Sequence, residues 1–234
     1  APPLRISVSP ESVQPVDNPR APSSAYLGIF VCTAGVLMSE VLLTRIFSFT
    51  IWYHLAYLTV STALLSFGAA GSILAAFPRL LNQPQRLSGL AAIGAGISAL
   101  VGIWYLGRNP IDPINLLEAP LEFFVGLLQY YAIICVPFLF GGIAIAVPLS
   151  AYPKDVNRLY AADLAGAAAG CGLAIASLKW ADGAATPMIA AIVFVVAACL
   201  YVPRMRTRVA FGVVALGLAV AVPFAPQWFE FRPT

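Results

Sequence analysis

Hydrophobic residues in this chain form runs of about 20 residues, and short polar segments separate the runs. A helix of that length crosses the roughly 30 Å hydrocarbon core of a bilayer, whereas the alternating pattern of a membrane β-barrel is absent from the sequence. The pattern therefore predicts an all-α, polytopic helical membrane protein with about seven transmembrane helices. The predicted spans are 25–47, 51–77, 87–106, 123–149, 158–178, 184–202 and 209–224.

The composition leads to the same class of protein. The 234 residues are 60% hydrophobic and only 10% charged, whereas a soluble domain normally carries about 25% charged residues. The net charge of +3 does not indicate nucleic acid, because the basic residues lie in short loops where membrane topology explains them. We expect the lipid bilayer to be the chief partner of the surface, with no nucleic-acid partner.

The chain divides into a transmembrane region and two short tails. Residues 1–23 contain six prolines and no sustained period, so we expect an extended or disordered N-terminal tail. The transmembrane helical domain is predicted to cover 24–225, and 226–234 to form an aromatic C-terminal tail. The first apolar run is too long for the hydrophobic region of a signal peptide, so we expect it to remain as an anchor.

The distribution of basic residues predicts the orientation. With seven spans and a cytoplasmic N-terminus, nine of the thirteen Lys and Arg residues fall on the inner side and four on the outer side. This division agrees with the positive-inside rule. We therefore expect a cytoplasmic N-terminus and a C-terminus on the opposite side of the membrane.

A first group of polar residues, Glu40, Arg45 and His54, falls near the outer ends of the first two predicted spans. Charged groups within spans are costly and are functional candidates by default. A carboxylate beside a histidine can change its charge near neutral pH, which suggests a site for a cation or a proton. We favour the alternative, in which an ion pair and hydrogen bonds hold the first two helices together.

A second polar pair, Arg158 and Asp163, lies on the predicted inner side. Asp163 is separated from Glu40 by much of the membrane thickness, so these two carboxylates are not expected to be partners. We expect Asp163 to meet Arg158 or a basic residue of another inner loop. The alternative is a solvated carboxylate near the positive N-terminal end of its helix, and the sequence leaves both interpretations open.

Small residues repeat every four positions after this pair, at Ala162, Gly166, Gly170 and Ala174. The repeat predicts a helix with a smooth groove, as is typical of close helix–helix contacts in membranes. A glycine-rich nucleotide loop is disfavoured, because no β-strand precedes these residues. A similar series, Gly68, Ser72 and Ala76 in the second span, is a candidate to face this groove.

Cysteine and histidine give no sign of a metal or cofactor site. Cys32, Cys135, Cys171 and Cys199 lie in different apolar runs, without the spacing of a metal site or a disulfide framework. Each is expected to be a small apolar side chain. A single histidine is a weak basis for a ligand, so we expect no metal and no cofactor.

Three segments carry a resemblance to a known family: EVLLTRIFS (40–48), WYHLAYLTVSTALLSFGAAGSILA (52–75) and RLYAADLAGAAAGCGLA (158–174). They are similar to the membrane region of the bacterial membrane-embedded spermidine-synthase-like (polyamine aminopropyltransferase-like) proteins. In that family a multi-span region precedes a soluble, Rossmann-like domain. The resemblance implies a multi-pass protein of the bacterial cytoplasmic (inner) membrane, which makes the predicted C-terminus periplasmic.

The family's catalytic residues have no counterpart in these 234 residues, and only its membrane motifs are matched, at Glu40, Arg45, His54 and Asp163. The expected function is therefore a non-catalytic accessory or scaffolding subunit that packs against other integral membrane proteins. One alternative is a transporter or channel for a small cation such as a polyamine. Another is the membrane half of an aminopropyltransferase whose catalytic domain is supplied elsewhere. The chain as it stands is not expected to be an enzyme.

Overall fold

The computed structural model describes residues 20–50, 53–109, 120–180, 186–202, 208–209, 211–214 and 217. Regular structure within these residues is helical. Short 3-10 turns cover Pro78–Asn82 and Pro153–Asp155. The α-helices with described bounds are α1 (Ser23–Thr50), α2 (Tyr53–Ala76), α3 (Pro84–Arg108), α4 (Pro120–Ala151), α5 (Val156–Trp180) and α6 (Thr186–Tyr201).

The all-α prediction is confirmed for the described residues, and α1 to α5 are long and apolar enough to cross a membrane by length and composition. α6 has 16 residues, somewhat fewer than the roughly 20 of a typical span. Helical residues at 209, 211–214 and 217 fall within the predicted seventh span. The number of seven spans stays a prediction, because the rest of that span lies outside the described residues, as do 1–19 and 226–234 of the two predicted tails.

Proline marks the start of several helical elements. Pro78 and Pro153 begin the two 3-10 turns, while Pro84 and Pro120 begin α3 and α4. Proline lacks a backbone N–H group, but the first N–H groups of a helix have no intrahelical partner in any case. Its fixed φ also suits the first turn. The interhelical segments therefore carry local signals that begin the next helix.

Five of the helices pack in a ring, in the order α1, α6, α3, α4, α2 and back to α1. α5 lies outside this ring and packs chiefly against α1. α1 is thus the central helix of the described structure, with α5, α6, α2 and α4 around it. Its buried residues Ile29, Cys32 and Val36 belong to the hydrophobic core, together with Phe138 of α4 and Phe194 of α6.

The contacts along α1 show the direction of its neighbours. Contacts with α5 advance together, from Phe30 with Gly166 to Ala34 with Gly170, so α1 and α5 run parallel. Contacts with α6 run in opposite senses, since Gly28 adjoins Tyr201 and Gly35 adjoins Phe194. An up-and-down arrangement places the start of α1, the start of α5 and the end of α6 at one end of the structure, which we call the α1-start end.

Two polar contacts fasten the α1-start end. The backbone N–H of Ala21 donates a hydrogen bond to Asp155 Oδ2 at 2.9 Å, which ties the entry to α1 to the turn before α5. Burial raises the pKa of Tyr152, and a side-chain hydrogen bond with Gln85 acts in the opposite direction. Gln85 and Tyr152 thereby link the start of α3 to the end of α4.

The prediction that the small residues of α2 face α5 is wrong. α2 packs mainly against α4 and α1. Nothing lies within 4 Å of a Cβ atom built at Gly68, and Ser72 and Ala76 are exposed. The reason is that α5 lies outside the ring and its small-residue groove is covered by α1, so the groove is not open to α2.

Candidate functional site

The groove of α5 is covered by the backbone of α1. Gly166 and Gly170 are buried, and a Cβ atom at Gly166 would overlap the carbonyl group of Phe30. A Cβ atom at Gly170 would overlap the carbonyl oxygen of Ala34 in the same way. Glycine is required at both positions because backbone atoms, unlike side chains, have no rotamer in which to move aside.

The contact continues for one further turn. Ala174 is fully buried in a small cluster with Met38 of α1 and Ala190 of α6. Ala162, at the other end of the series, is only half-buried. We call the buried surface formed by Gly166, Gly170 and Ala174 the closed face of α5.

Asp163 lies one turn before Gly166 and takes part in the same contact. Its Oδ1 atom accepts a hydrogen bond of 2.5 Å from the hydroxyl group of Thr33 on α1. Thr33 is buried, whereas Asp163 is half-buried. The carboxylate is therefore bound to a neutral donor on the neighbouring helix, and Arg158 is exposed.

Cys32 and Tyr201 complete a polar cluster where α1, α5 and α6 meet. Both side chains are buried, and Cys32 directly precedes Thr33 on α1. The ring of Tyr201 lies against Gly28, so that a Cβ atom at Gly28 would come within 2.6 Å of it. We call Cys32, Thr33, Asp163 and Tyr201 the polar cluster.

Of these four residues, only Asp163 was a functional candidate from the sequence. Thr33, Cys32 and Tyr201 each lie in an apolar segment where one hydroxyl or thiol group does not disturb the hydrophobic pattern. A weak signal exists in Gly28, four residues before Cys32, because a glycine on the buried face of a helix provides room for a large side chain from a neighbour. The identity of that neighbour depends on the tertiary structure.

The predicted outer group is described only in part. Glu40 is half-buried and Arg45 is exposed, both on α1. Residues five positions apart on a helix point about 140° apart around its axis, so these two side chains leave α1 in different directions. His54 belongs to the first turn of α2, but its side chain lies outside the described residues, and a site at Glu40, Arg45 and His54 stays a prediction.

α2 carries small residues that face away from the rest of the structure. Gly68 and Gly71 are exposed, and a Cβ atom at either would meet nothing within 4 Å. Ser72 and Ala75 are exposed beside them. The Ser72 hydroxyl donates to the carbonyl oxygen of Gly68 at 2.9 Å, so it needs no further partner. We call Gly68, Gly71, Ser72 and Ala75 the open face of α2.

In the part of the chain that the structure describes, no group of three or more His, Cys, Asp or Glu side chains is placed to hold a metal ion. Cys135 of α4 instead lies beside Ser66 of α2, with 2.9 Å between Sγ and Oγ. The Ser66 hydroxyl also donates to the Cys135 carbonyl oxygen at 3.1 Å. This thiol therefore belongs to the contact between α2 and α4.

Comparison of the chain with protein-family models, with curated proteins and with solved structures finds no match.

Proposed function

We propose that this protein is a non-catalytic, integral-membrane accessory subunit that packs against a transmembrane helix of a different membrane protein. The open face of α2 is the proposed contact surface. The chief support is that Gly68 and Gly71 differ from the glycines that lie at contacts between helices. At Gly28, Gly141 and Gly142, an added Cβ atom would meet a neighbouring side chain at less than 3.0 Å, whereas Gly68 and Gly71 have no such neighbour.

The chemistry of a bilayer favours a helix as the occupant. Lipid tails are as apolar as leucine side chains, so helices associate in a membrane through close packing rather than through the hydrophobic effect. Small residues permit that packing because two backbones can approach closely. The open face offers such a surface, and exposed Leu64 and Leu65 precede it by one turn of α2.

The opposite side of α2 is already used within the chain. Phe67 and Ala70 lie against Gly142 of α4, and Ser66 bonds to Cys135. α2 is therefore held in place by α4 while its open face remains available. A rigidly held helix with small residues on its outer side is suited to bind a second helix with little reorganisation.

The polar cluster supports a structural role rather than an aminopropyl transfer or a cation pathway. Asp163 bonds to Thr33 within the contact between α5 and α1, and each residue thereby contributes to helix packing. Transport of a small cation and membership in the spermidine-synthase-like family stay predictions from the sequence. The accessory role needs neither.

A photo-crosslinking residue at position 71, in native membranes, tests the proposal. We expect a crosslinked product between this chain and a different membrane protein, and we expect Gly68→Leu to abolish that product by filling the open face. A product of two copies of this chain would contradict the proposal and indicate a homodimer. Absence of any protein product would contradict it as well.

Position 172 provides the matched control. Gly172 of α5 is also exposed, and nothing lies within 4 Å of a Cβ atom built there. A crosslinking residue at 172 is expected to give no product with the partner of position 71. If 172 captures that protein and 71 does not, the outer face of α5 is the contact surface and the assignment to α2 is wrong.

We also propose that the α1-start end is cytoplasmic, in the inner membrane of a bacterium. Of the nine described Lys and Arg residues, six lie at this end and three at the other. The positive-inside rule supports that orientation. A membrane-impermeant thiol reagent should label an Arg79→Cys variant from the cytoplasmic side and an Arg108→Cys variant from the opposite side; the reverse pattern would refute the orientation. The six are Arg20, Arg79, Arg86, Lys154, Arg158 and Arg208, and the three are Arg45, Arg108 and Lys179.

A further inference from the structure

The end of α3 carries an arginine that is held over an aromatic ring. The guanidinium carbon of Arg108 lies 4.6 Å from the centre of the Trp104 ring, within the range of a cation–π contact. Both side chains are exposed, and Arg108 has no hydrogen-bond or ion-pair partner among the described residues. The ring therefore orients the guanidinium group and leaves its N–H donors available to an anion.

Arg108 lies where an exposed apolar stripe of α3 ends. Ile97, Val101 and Trp104 are exposed, and their spacing places them on one face of the helix, in line with Arg108. Ile97 and Trp104 are separated by about 10 Å along the helix axis. Because one leaflet of the hydrocarbon core is about 15 Å thick, the stripe fits within one leaflet and the arginine falls at its polar boundary.

α4 continues this surface beside α3. The Gln129 amide group of α4 donates a hydrogen bond to the Tyr105 hydroxyl oxygen at 2.8 Å, near the end of α3. α4 runs antiparallel to α3, since Gly94 adjoins Phe140 further from this end. Exposed Val136 lies on the same face of α4 as Gln129 and two turns deeper. The seam between α3 and α4 therefore offers an apolar path for an acyl chain below a polar boundary.

We propose that the end of α3 binds the phosphate group of a phospholipid, with the Arg108 guanidinium as donor and an acyl chain along the seam between α3 and α4. We call this the α3-end site. A guanidinium group can donate two parallel hydrogen bonds to a phosphate, and such charge-assisted bonds are roughly twice as strong as neutral ones. The inference is independent of the accessory role and of the orientation of the chain.

Charge and shape together favour a phospholipid as the occupant. The positive charge of Arg108 complements the phosphate, and Glu122, the acidic residue of α4, forms no ion pair with it in the structure. A phosphate ion alone would use the arginine but not the apolar surface at Val101 and Val136. A lipid uses both, because its phosphate and its acyl chains are joined at the same boundary that separates Arg108 from the stripe.

Native mass spectrometry of the purified chain, titrated with phosphatidylglycerol in detergent, tests the site. We expect Arg108→Gln to raise the apparent Kd about tenfold, because charge-assisted bonds are lost. Trp104→Leu should raise it by a smaller factor, because the guanidinium group is no longer oriented. Both side chains are exposed, so the melting temperature without added lipid should stay that of the native protein. An unchanged Kd in Arg108→Gln, or no binding by the native protein, would overturn the proposal.

Lys179→Gln is the matched control for charge. Lys179 is exposed in the last turn of α5, at the same end of the structure as Arg108, and it has no ring contact among the described residues. Removing its charge should leave the apparent Kd for phosphatidylglycerol unchanged. Equal increases for Lys179→Gln and Arg108→Gln would mean that the whole end attracts anionic lipid, and the α3-end site would be refuted.

Two further ligands separate the phosphate from the acyl chain. Diacylglycerol with the same acyl chains lacks the phosphate and should bind much more weakly than phosphatidylglycerol. Inorganic phosphate in excess lacks the chains and should not displace the bound lipid. Equally tight binding of diacylglycerol would show that the phosphate is not recognised, and displacement by inorganic phosphate would indicate a site for free anions. Either result refutes the assignment to a phospholipid.

Discussion

α5 and α2 carry similar small residues, but one surface is filled by the chain itself and the other is not. At Gly166 and Gly170 of α5, the backbone of α1 lies so close that no Cβ atom fits. At Gly68 and Gly71 of α2, the corresponding space contains no atom of the described structure within 4 Å. The difference shows that small residues permit a close contact and do not determine which helix makes it.

The reason lies in the forces available within a bilayer. In a soluble protein, an apolar stripe must be covered by another element to remove it from water. In a membrane, a stripe of small residues can remain in contact with lipid. A contact forms where a second helix has a matching surface and is held nearby. α1 meets both conditions for α5, since the hydrogen bond between Thr33 and Asp163 lies on the same interface as the closed face.

The largest expected effect comes from breaking the closed face. Gly170→Ala would place a methyl group on the carbonyl oxygen of Ala34, and we expect the free energy of unfolding to fall by about 3 kcal/mol. Thermal or denaturant unfolding of the purified protein in detergent measures this change.

Gly172→Ala, two residues later on the same helix, is the control. Its Cβ atom meets nothing within 4 Å, and alanine is the better helix former by up to about 1 kcal/mol. Equal losses for the two variants would mean that glycine at 170 matters for some reason other than the backbone of α1.

A smaller loss is expected where a side chain, rather than backbone, fills the space. Gly142→Ala on α4 would bring a Cβ atom within 2.9 Å of the Phe67 ring and 3.1 Å of the Ala70 Cβ atom on α2. Because the Phe67 ring can shift, we expect a loss of about 1–2 kcal/mol. Phe67→Leu should reduce that loss by making room; an unchanged loss would place the obstruction at Ala70 or in the backbone of α2.

Thr33→Val tests how much the polar cluster adds to the closed face. Valine keeps the shape of threonine but cannot donate to Asp163, so we expect a loss of about 1 kcal/mol. Thr33→Ser restores the donor and should recover much of the stability, as measured by the melting temperature. If valine is as stable as threonine, the contact depends on packing alone.

The smallest effect on stability is expected at the open face. Gly71→Ala should cause no loss and a gain below about 1 kcal/mol, because alanine favours the helix and meets no neighbour. The melting temperature of the isolated chain provides this comparison. A clear loss would show that α2 has an internal neighbour at Gly71 in the folded protein, and the contrast between the two faces would disappear.

Much of the secondary structure follows from the sequence. The apolar runs predicted α1 to α6 with ends within a few residues of those observed, because helix formation in a membrane depends on local length and hydrophobicity. Prolines such as Pro84 and Pro120 mark the starts of helices in the sequence itself. Tertiary neighbours were harder to predict, as the incorrect pairing of the α2 series with α5 demonstrates.

The candidate site divides in the same way. The spacing of Gly166 and Gly170 places them on one face of any helix, and Asp163 is conspicuous as a carboxylate in an apolar run. Thr33 and Tyr201 were not predicted, since their hydroxyl groups are common in membrane helices and their importance depends on what lies opposite them.

The sequence by itself determined that the chain is helical and apolar, where most helices begin and end, and which residues are small enough for close contact. The tertiary structure decided that α1 covers the groove of α5 and that the glycines of the open face of α2 point outward. It also decided that Asp163 bonds to Thr33, which is 130 positions away in the sequence. Hydrophobic length is a local property, which a linear pattern records. Helix pairing depends on the complementarity of two surfaces that are distant in the chain, and a single linear pattern does not contain it.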